Sequence, residues 1–184
     1  MSHRTNMIWR GKRIETLEDL VPPNTKMVFV GINPSCVSVE KGHYHQGNLG
    51  RRFWQRLQTY GIMNSRAKRS EDDQLFLSGF GITDLVKRPT PNSKKLEDED
   101  YVEGCKALRR KLRKWNPKYV CFIYKKAAKR FLEMRLRNRT GLLDDDMIGK
   151  PKVFLMPSPF APKEEESRIM RELKTLIEAN HKKL

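Results

Sequence analysis

The chain has 184 residues and a formal charge of +16, from 38 Lys and Arg against 22 Asp and Glu. That length supports one domain with a substantial core, and the uncompensated basic charge points to a polyanionic partner, most simply nucleic acid. No apolar run reaches about 18 residues and no signal-peptide pattern opens the chain, so an intracellular protein with no membrane segment is expected, in the cytoplasm and nucleoid of a prokaryote or the nucleus of a eukaryote.

In chain order, residues 1–13 read as loosely packed. The run Met27-Val28-Phe29-Val30 is a buried strand that stops at Gly31-Ile32-Asn33-Pro34. Pro34 disfavours helix at Asn33 and removes a backbone donor, so Asn33 sits at the carboxyl end of that strand, where open α/β sheets place their ligands. An amide there is positioned to hold a substrate or a water; it would equally well begin a turn. The segment 51–60 predicts a helix burying Phe53, Trp54 and Leu57, and 79–86 contains a short strand.

Tyr101, Cys105, Leu108, Leu112 and Trp115 share one helical face, and Asn116-Pro117 ends that helix. Residues 118–124 and 152–156 read as buried strands, and Ile169, Leu173, Leu176 and Ile177 mark a terminal helix whose last residues, 178–184, are expected to be loose. The alternation β-α-β-α-β-α-β-α predicts one α/β domain over 1–184, a three-layer α/β/α sandwich around a short, mostly parallel sheet of about four strands.

Two strand ends carry unusual loops: 31–47, and Met156-Pro-Ser-Pro-Phe-Ala-Pro162. In a parallel sheet both emerge on one edge and can meet over one site. Phe160, stiffened by flanking prolines, suits a wedge that kinks a duplex or flips a base, although the same residue could pack on the terminal helix. The three cysteines, Cys36, Cys105 and Cys121, lack C-x-x-C spacing, and Cys36, His43 and His45 fit no standard metal pattern, so neither a disulfide framework nor a metal site is predicted. Asp144-Asp145-Asp146 reads as an exposed acidic turn.

Taken together, Leu17-Glu-Asp-Leu-Val-Pro-Pro23, Gly31-Ile-Asn-Pro34, Lys41-Gly-His43, Phe53-Trp54, Gly81-Ile-Thr-Asp-Leu-Val86, Arg88-Pro-Thr90 and Met156-Pro-Ser158 resemble, in order and spacing, the mismatch-specific uracil/thymine-DNA glycosylases of the uracil-DNA glycosylase superfamily. The resemblance covers about residues 17–162. It implies a monomer acting on double-stranded DNA with a deaminated or mismatched base, without cofactor or metal. It matches Asn33 to the asparagine that positions the hydrolytic water. It places Gly31, Ile32 and Thr90 around the base, Ser158 near the target phosphate, and Phe160 at the wedge. Tyr44 or His45 falls where an aromatic residue stacks on the flipped base; the loop is one residue longer than the pattern, which leaves both open.

Several residues depart from that pattern. Asp84 stands where relatives carry a neutral or cationic residue, so it is expected to tune base preference or assist the water. An ionised carboxylate would repel a departing base anion, and a raised pKa would convert it to a donor. Pro162 replaces an arginine that fills the gap left by a flipped base in thymine-acting relatives, and Ser35 replaces a glycine, which narrows the pocket against a 5-methyl group. Uracil is therefore favoured over thymine. Arg51 and Arg52, at a helix start near the site, suggest a phosphate contact for one of them, with Arg51 taken as DNA-binding. Two other readings compete: a catalytically weak lesion-binding protein of the same fold, and an unrelated small-molecule α/β enzyme.

Overall fold

The computed structural model describes residues 2–63, 70–133, 136, 139–143 and 151–181. Its elements are β1 (Arg4–Trp9), β2 (Lys12–Leu17), β3 (Met27–Gly31), α1 (Cys36–Lys41), α2 (Asn48–Thr59), α3 (Glu71–Leu77), β4 (Gly81–Asp84), α4 (Asp98–Trp115), β5 (Tyr119–Phe122), α5 (Lys125–Leu132), β6 (Gly141–Leu143), β7 (Lys152–Leu155) and α6 (Lys163–His181). The acidic stretch Asp144–Asp146 and residues 182–184 lie outside the described residues.

The sheet runs β4-β3-β5-β7-β6, with every pair parallel except β6–β7. It therefore has five strands rather than four; the extra one is a three-residue edge strand too short to show a pattern. β3, β4 and β5 are buried at every position, as strands covered on both faces must be. Their side chains alternate between two cores. Phe29, Cys121 and Phe154 meet Phe53, Trp54, Leu57, Leu75 and Leu173 of α2, α3 and α6. Val30, Val120, Phe122 and Leu155 meet Leu108, Leu112, Ala127 and Phe131 of α4 and α5. This is the three-layer α/β/α arrangement.

Helix ends follow their local chemistry. Glu97 and Asp100 form a reciprocal capping box at the start of α4, and Asn116, left-handed at φ 46°, closes it ahead of Pro117. At the amino terminus the expectation of a loose segment over 1–13 is corrected. β1 and β2 form a hairpin through Arg10 and Gly11, both with positive φ (48° and 76°), the conformation a two-residue hairpin turn needs. Trp9 ties the hairpin down: its ring is buried and its Nε1 donates to Asp100 Oδ1 at 3.0 Å.

The topology also creates a crevice. From β3 the chain turns to the α2 and α3 face, and from β4 to the α4 face. Two adjacent strands whose connections leave in opposite directions open a gap at their carboxyl ends. Asn33 follows β3 there, and Asp84 ends β4.

Candidate active site

At that edge lies a cleft of about 590 Å³, within the range of ligand pockets. Ile32, Asn33, Ser35, His45, Asp84 and Thr90 line it, with Tyr124, Lys126 and Pro159 on further walls. The two loops singled out in the sequence thus meet over one site.

Asn33 is held by its amide nitrogen. Nδ2 donates to Pro34 O (3.1 Å), Arg88 O (3.1 Å) and Thr90 Oγ1 (2.8 Å). The two carbonyls can only accept, so the NH₂ must face them and Oδ1 must face away. Thr90 is fixed in turn, donating to Asn92 O at 2.8 Å. Thr90 therefore orients Asn33. Ser35 lines the cleft while capping α1: its Oγ accepts from Ser38 N at 3.1 Å.

Asp84 and Gly31 are register partners on neighbouring strands. A Cβ at Gly31 would stand 2.1 Å from Asp84 Oδ1 and 3.0 Å from His45 Cε1. Only glycine lets the carboxylate and the imidazole meet over the strand end. Asp84 is 2% exposed, and burial pushes its carboxyl up to about 7; Asp19 adds to the rise while Lys87 and Lys111 oppose it. Burial likewise lowers the His45 imidazole to about 4, so it is neutral at physiological pH. Among the described residues, the buried side-chain polar atoms with no hydrogen-bond partner are His45 Nε2 and Asp84 Oδ1, and both residues line this cleft. Native folds leave few such atoms, and a pair in one cleft marks a place where a water or a polar ligand can complete the bonding.

The geometry separates Tyr44 from His45. Tyr44 is completely buried, its hydroxyl donating to Glu18 O at 2.6 Å and accepting from Lys87 Nζ at 3.2 Å. It is a core residue and does not line the cleft, which corrects its candidacy as the stacking residue. His45, at φ 56°, lines the cleft and packs its ring against Phe53 at 5.1 Å between centroids. Gly50 makes room for this turn: a Cβ there would stand 2.6 Å from the His45 backbone.

The second loop is held from α2. Arg56, 9% exposed, donates to Pro157 O (3.0 Å), Ser158 O (2.7 Å) and Glu166 (2.8 Å). Arg52 donates to Pro159 O at 2.9 Å and lies over the Phe160 ring, 4.9 Å from its centroid. Phe160 is 72% exposed, so it does not pack as a staple on α6. Ser158 is exposed and its Oγ accepts from Phe160 N at 3.2 Å. Pro162 is exposed, and its carbonyl accepts from Glu166 N at the start of α6. Arg51 reaches Gln46 and Glu71, while Arg52 takes the place beside the proline loop. Sequence reasoning missed Arg56, although a charge on the same helical face as Phe53 and Leu57 was the available signal.

A larger concavity, about 800 Å³, lies between α4 and α5, and its two arginines are engaged: Arg109 pairs with Glu133 and Arg130 with Asp98. The cleft at the sheet edge, which gathers Asn33, His45 and Asp84, is the candidate site. No helix among the described residues is long and apolar enough to cross a membrane.

The family model for the uracil DNA glycosylase superfamily matches residues 18–174, a span that contains the sheet, the cleft and both loops. The chain belongs to the uracil DNA glycosylase superfamily, whose members are hydrolytic DNA glycosylases.

Proposed function

We propose that this protein is a monofunctional, mismatch-directed glycosylase that hydrolyses the N-glycosidic bond of a uracil flipped out of duplex DNA, beginning base excision repair as a monomer. The observation that carries the reading is the pair of unpartnered polar atoms, His45 Nε2 and Asp84 Oδ1, in the cleft beside Asn33. A planar base with donors and acceptors on its edge would satisfy both. His45, neutral and backed by Phe53, presents Nε2 to the edge of the base, so it acts as an edge contact rather than as a stacking surface.

In this mechanism Asn33 Oδ1 accepts a hydrogen bond from a water and aims it at the sugar C1′. An amide cannot remove a proton, so its contribution is alignment. The C1′–N1 bond breaks ahead of water attack, leaving an oxocarbenium-like sugar and placing the bonding pair on the base. Neutral Asp84 donates to a carbonyl oxygen of the departing base and stabilises its negative charge. Water oxygen then bonds to C1′ and its proton is lost to solvent. Uracil, a better leaving anion than most bases, suits a site with no strong base, and Ser35 crowds the space a 5-methyl group would need.

Phe160, presented by Arg52 and Arg56, enters the stack as the base leaves it, and a mismatched base flips most readily because it has less pairing to lose. Ser158, Arg51 or Arg52, and Lys126 contact phosphates without reading sequence, and Pro162 provides no arginine to fill the vacated space. The experiment is base release from labelled duplexes carrying one G·U, A·U, G·T or hypoxanthine site, cleaved with alkali, with Asn33→Ala as control. Uracil release that is fastest from G·U and lost in Asn33→Ala is expected. DNA binding with no release of any base would favour the lesion-binding reading instead.

A further inference from the structure

Beside the loop that carries His45, three separate stretches of chain converge on one point. His3 arrives just before β1, His43 follows α1, and Asp72 and Asp73 open α3. One ligand atom from each of these four residues lies within 4.8 Å of all the others. His3 Nε2 is 2.8 Å from Asp73 Oδ1, and His43 Nδ1 is 3.0 Å from Asp72 Oδ1. The two imidazoles stand edge to face at 5.3 Å. His3 is 7% exposed and Asp72 1%.

We propose that His3, His43, Asp72 and Asp73 form a binding site for one divalent transition-metal ion of the zinc type. Two imidazoles and two carboxylates are a borderline N₂O₂ donor set that suits Zn²⁺; Mg²⁺ and Ca²⁺ favour oxygen alone. The two carboxylates neutralise the ion. Tetrahedral bonds of about 2.0–2.1 Å put ligand atoms roughly 3.3 Å apart, so the side chains need only small shifts. The outer contacts already orient them. His3 Nδ1 faces Glu18 Oε1 at 3.4 Å, which leaves Nε2 for the metal. Asp72 Oδ2 accepts from Tyr44 N at 2.8 Å, and Asp73 Oδ2 accepts from Ser70 Oγ at 2.7 Å. A carboxylate behind a ligating histidine is the usual support of a metal site.

The site would fasten the amino-terminal strand to the cleft loop. His3 N donates to Gly42 O at 2.9 Å, and His43 lies two residues before His45. A bound ion would hold His45 in place without touching substrate. The test uses the full chain with no histidine tag, stripped by chelator and titrated with ZnCl₂ against a chromogenic competing chelator, and with CoCl₂ followed by visible absorption. One ion per chain, a tetrahedral Co²⁺ spectrum and a zinc-dependent rise in Tm are expected. His3→Asn and Asp73→Asn should each weaken binding at least about tenfold, Glu18→Gln by about tenfold, and Cys36→Ser should change nothing. Failure of the wild-type chain to take up Zn²⁺ at micromolar concentration would overturn the proposal, as would equal binding by wild type and both ligand variants. Either result is independent of base release, so the glycosylase reading stands or falls separately.

Discussion

Two carboxylates beside the same strand, the half-buried Asp19 and the buried Asp84, are treated in opposite ways by the fold. Burial alone would raise both. Asp19 is given partners: Lys87 Nζ at 2.9 Å, Lys111 Nζ at 2.6 Å and the Thr83 hydroxyl. They outweigh the burial and hold its carboxyl well below the usual range. Asp84, the next residue after Thr83, has an oxygen with no partner, and burial carries it up to about 7. A satisfied carboxylate of this kind holds structure together. An unsatisfied one in a cleft costs stability and persists where a ligand completes it. The difference divides this end of the sheet into a supporting region of ion pairs and the floor of the candidate cleft, where a buried carboxyl oxygen has no partner.

The sharpest way to probe that division is to remove the residue that serves only the floor. Asn33→Ala is expected to lower single-turnover uracil release by at least about a hundredfold, since misplacement of a reacting group costs that much. Stability should fall by about 1 to 2 kcal/mol, since the two protons of Nδ2 are shared among its three acceptors and each bond is worth about 1 kcal/mol net. Denaturant midpoints and DNA binding measured on the same sample check both halves; comparable losses in rate and stability would erase the distinction.

In the supporting region the pattern should invert. Asp19→Asn strands the buried Lys87 ammonium and is expected to cost about 3 kcal/mol in urea unfolding. The native Asp19 carboxylate contributes stability above its unfolded pKa, and that contribution is lost as pH falls through the lower folded value. Asp84 has the reverse sign. Its native state holds a proton more tightly, so its contribution is complete below about pH 4 and is lost as pH rises towards about 7. Asp84→Asn is therefore expected to stabilise the fold by about 2 kcal/mol at pH 8 and hardly at all at pH 4. A variant destabilised at pH 8 would place Asp84 among the supporting residues.

Phe160→Ala carries the smallest expected effect, on the order of tenfold on release from matched A·U pairs and less from G·U, because unstacking a paired base is the step a wedge assists. Equal losses on both duplexes would contradict that role.

Much of the sheet was legible because β3, β5 and β7 are continuous apolar runs and their ends are punctuated by Gly, Asn or Pro. The hairpin was not. β1 and β2 are mostly polar, their turn is Arg10-Gly11 rather than a familiar Asn-Gly, and the one anchoring side chain, Trp9, docks on Asp100, 91 residues away. In the site, Asn33 and the meeting of the two loops could be read from strand direction alone. The choice between Tyr44 and His45 could not, because it turns on a positive φ at His45 and on the close approach of Gly50. The His3, His43, Asp72 and Asp73 cluster has no sequence signature at all, since its members come together only through the hairpin and α3.

The most direct test is the pH dependence of single-turnover uracil release by the wild-type protein and by Asp84→Asn, from pH 5 to 9 on a G·U duplex. If neutral Asp84 donates to the departing base, the wild-type rate is highest at low pH and falls as pH rises through about 7, while the variant, whose amide donates at every pH, gives a flatter profile. A wild-type rate that rises through neutral pH, or a profile that Asp84→Asn leaves unchanged, would contradict the role assigned to Asp84.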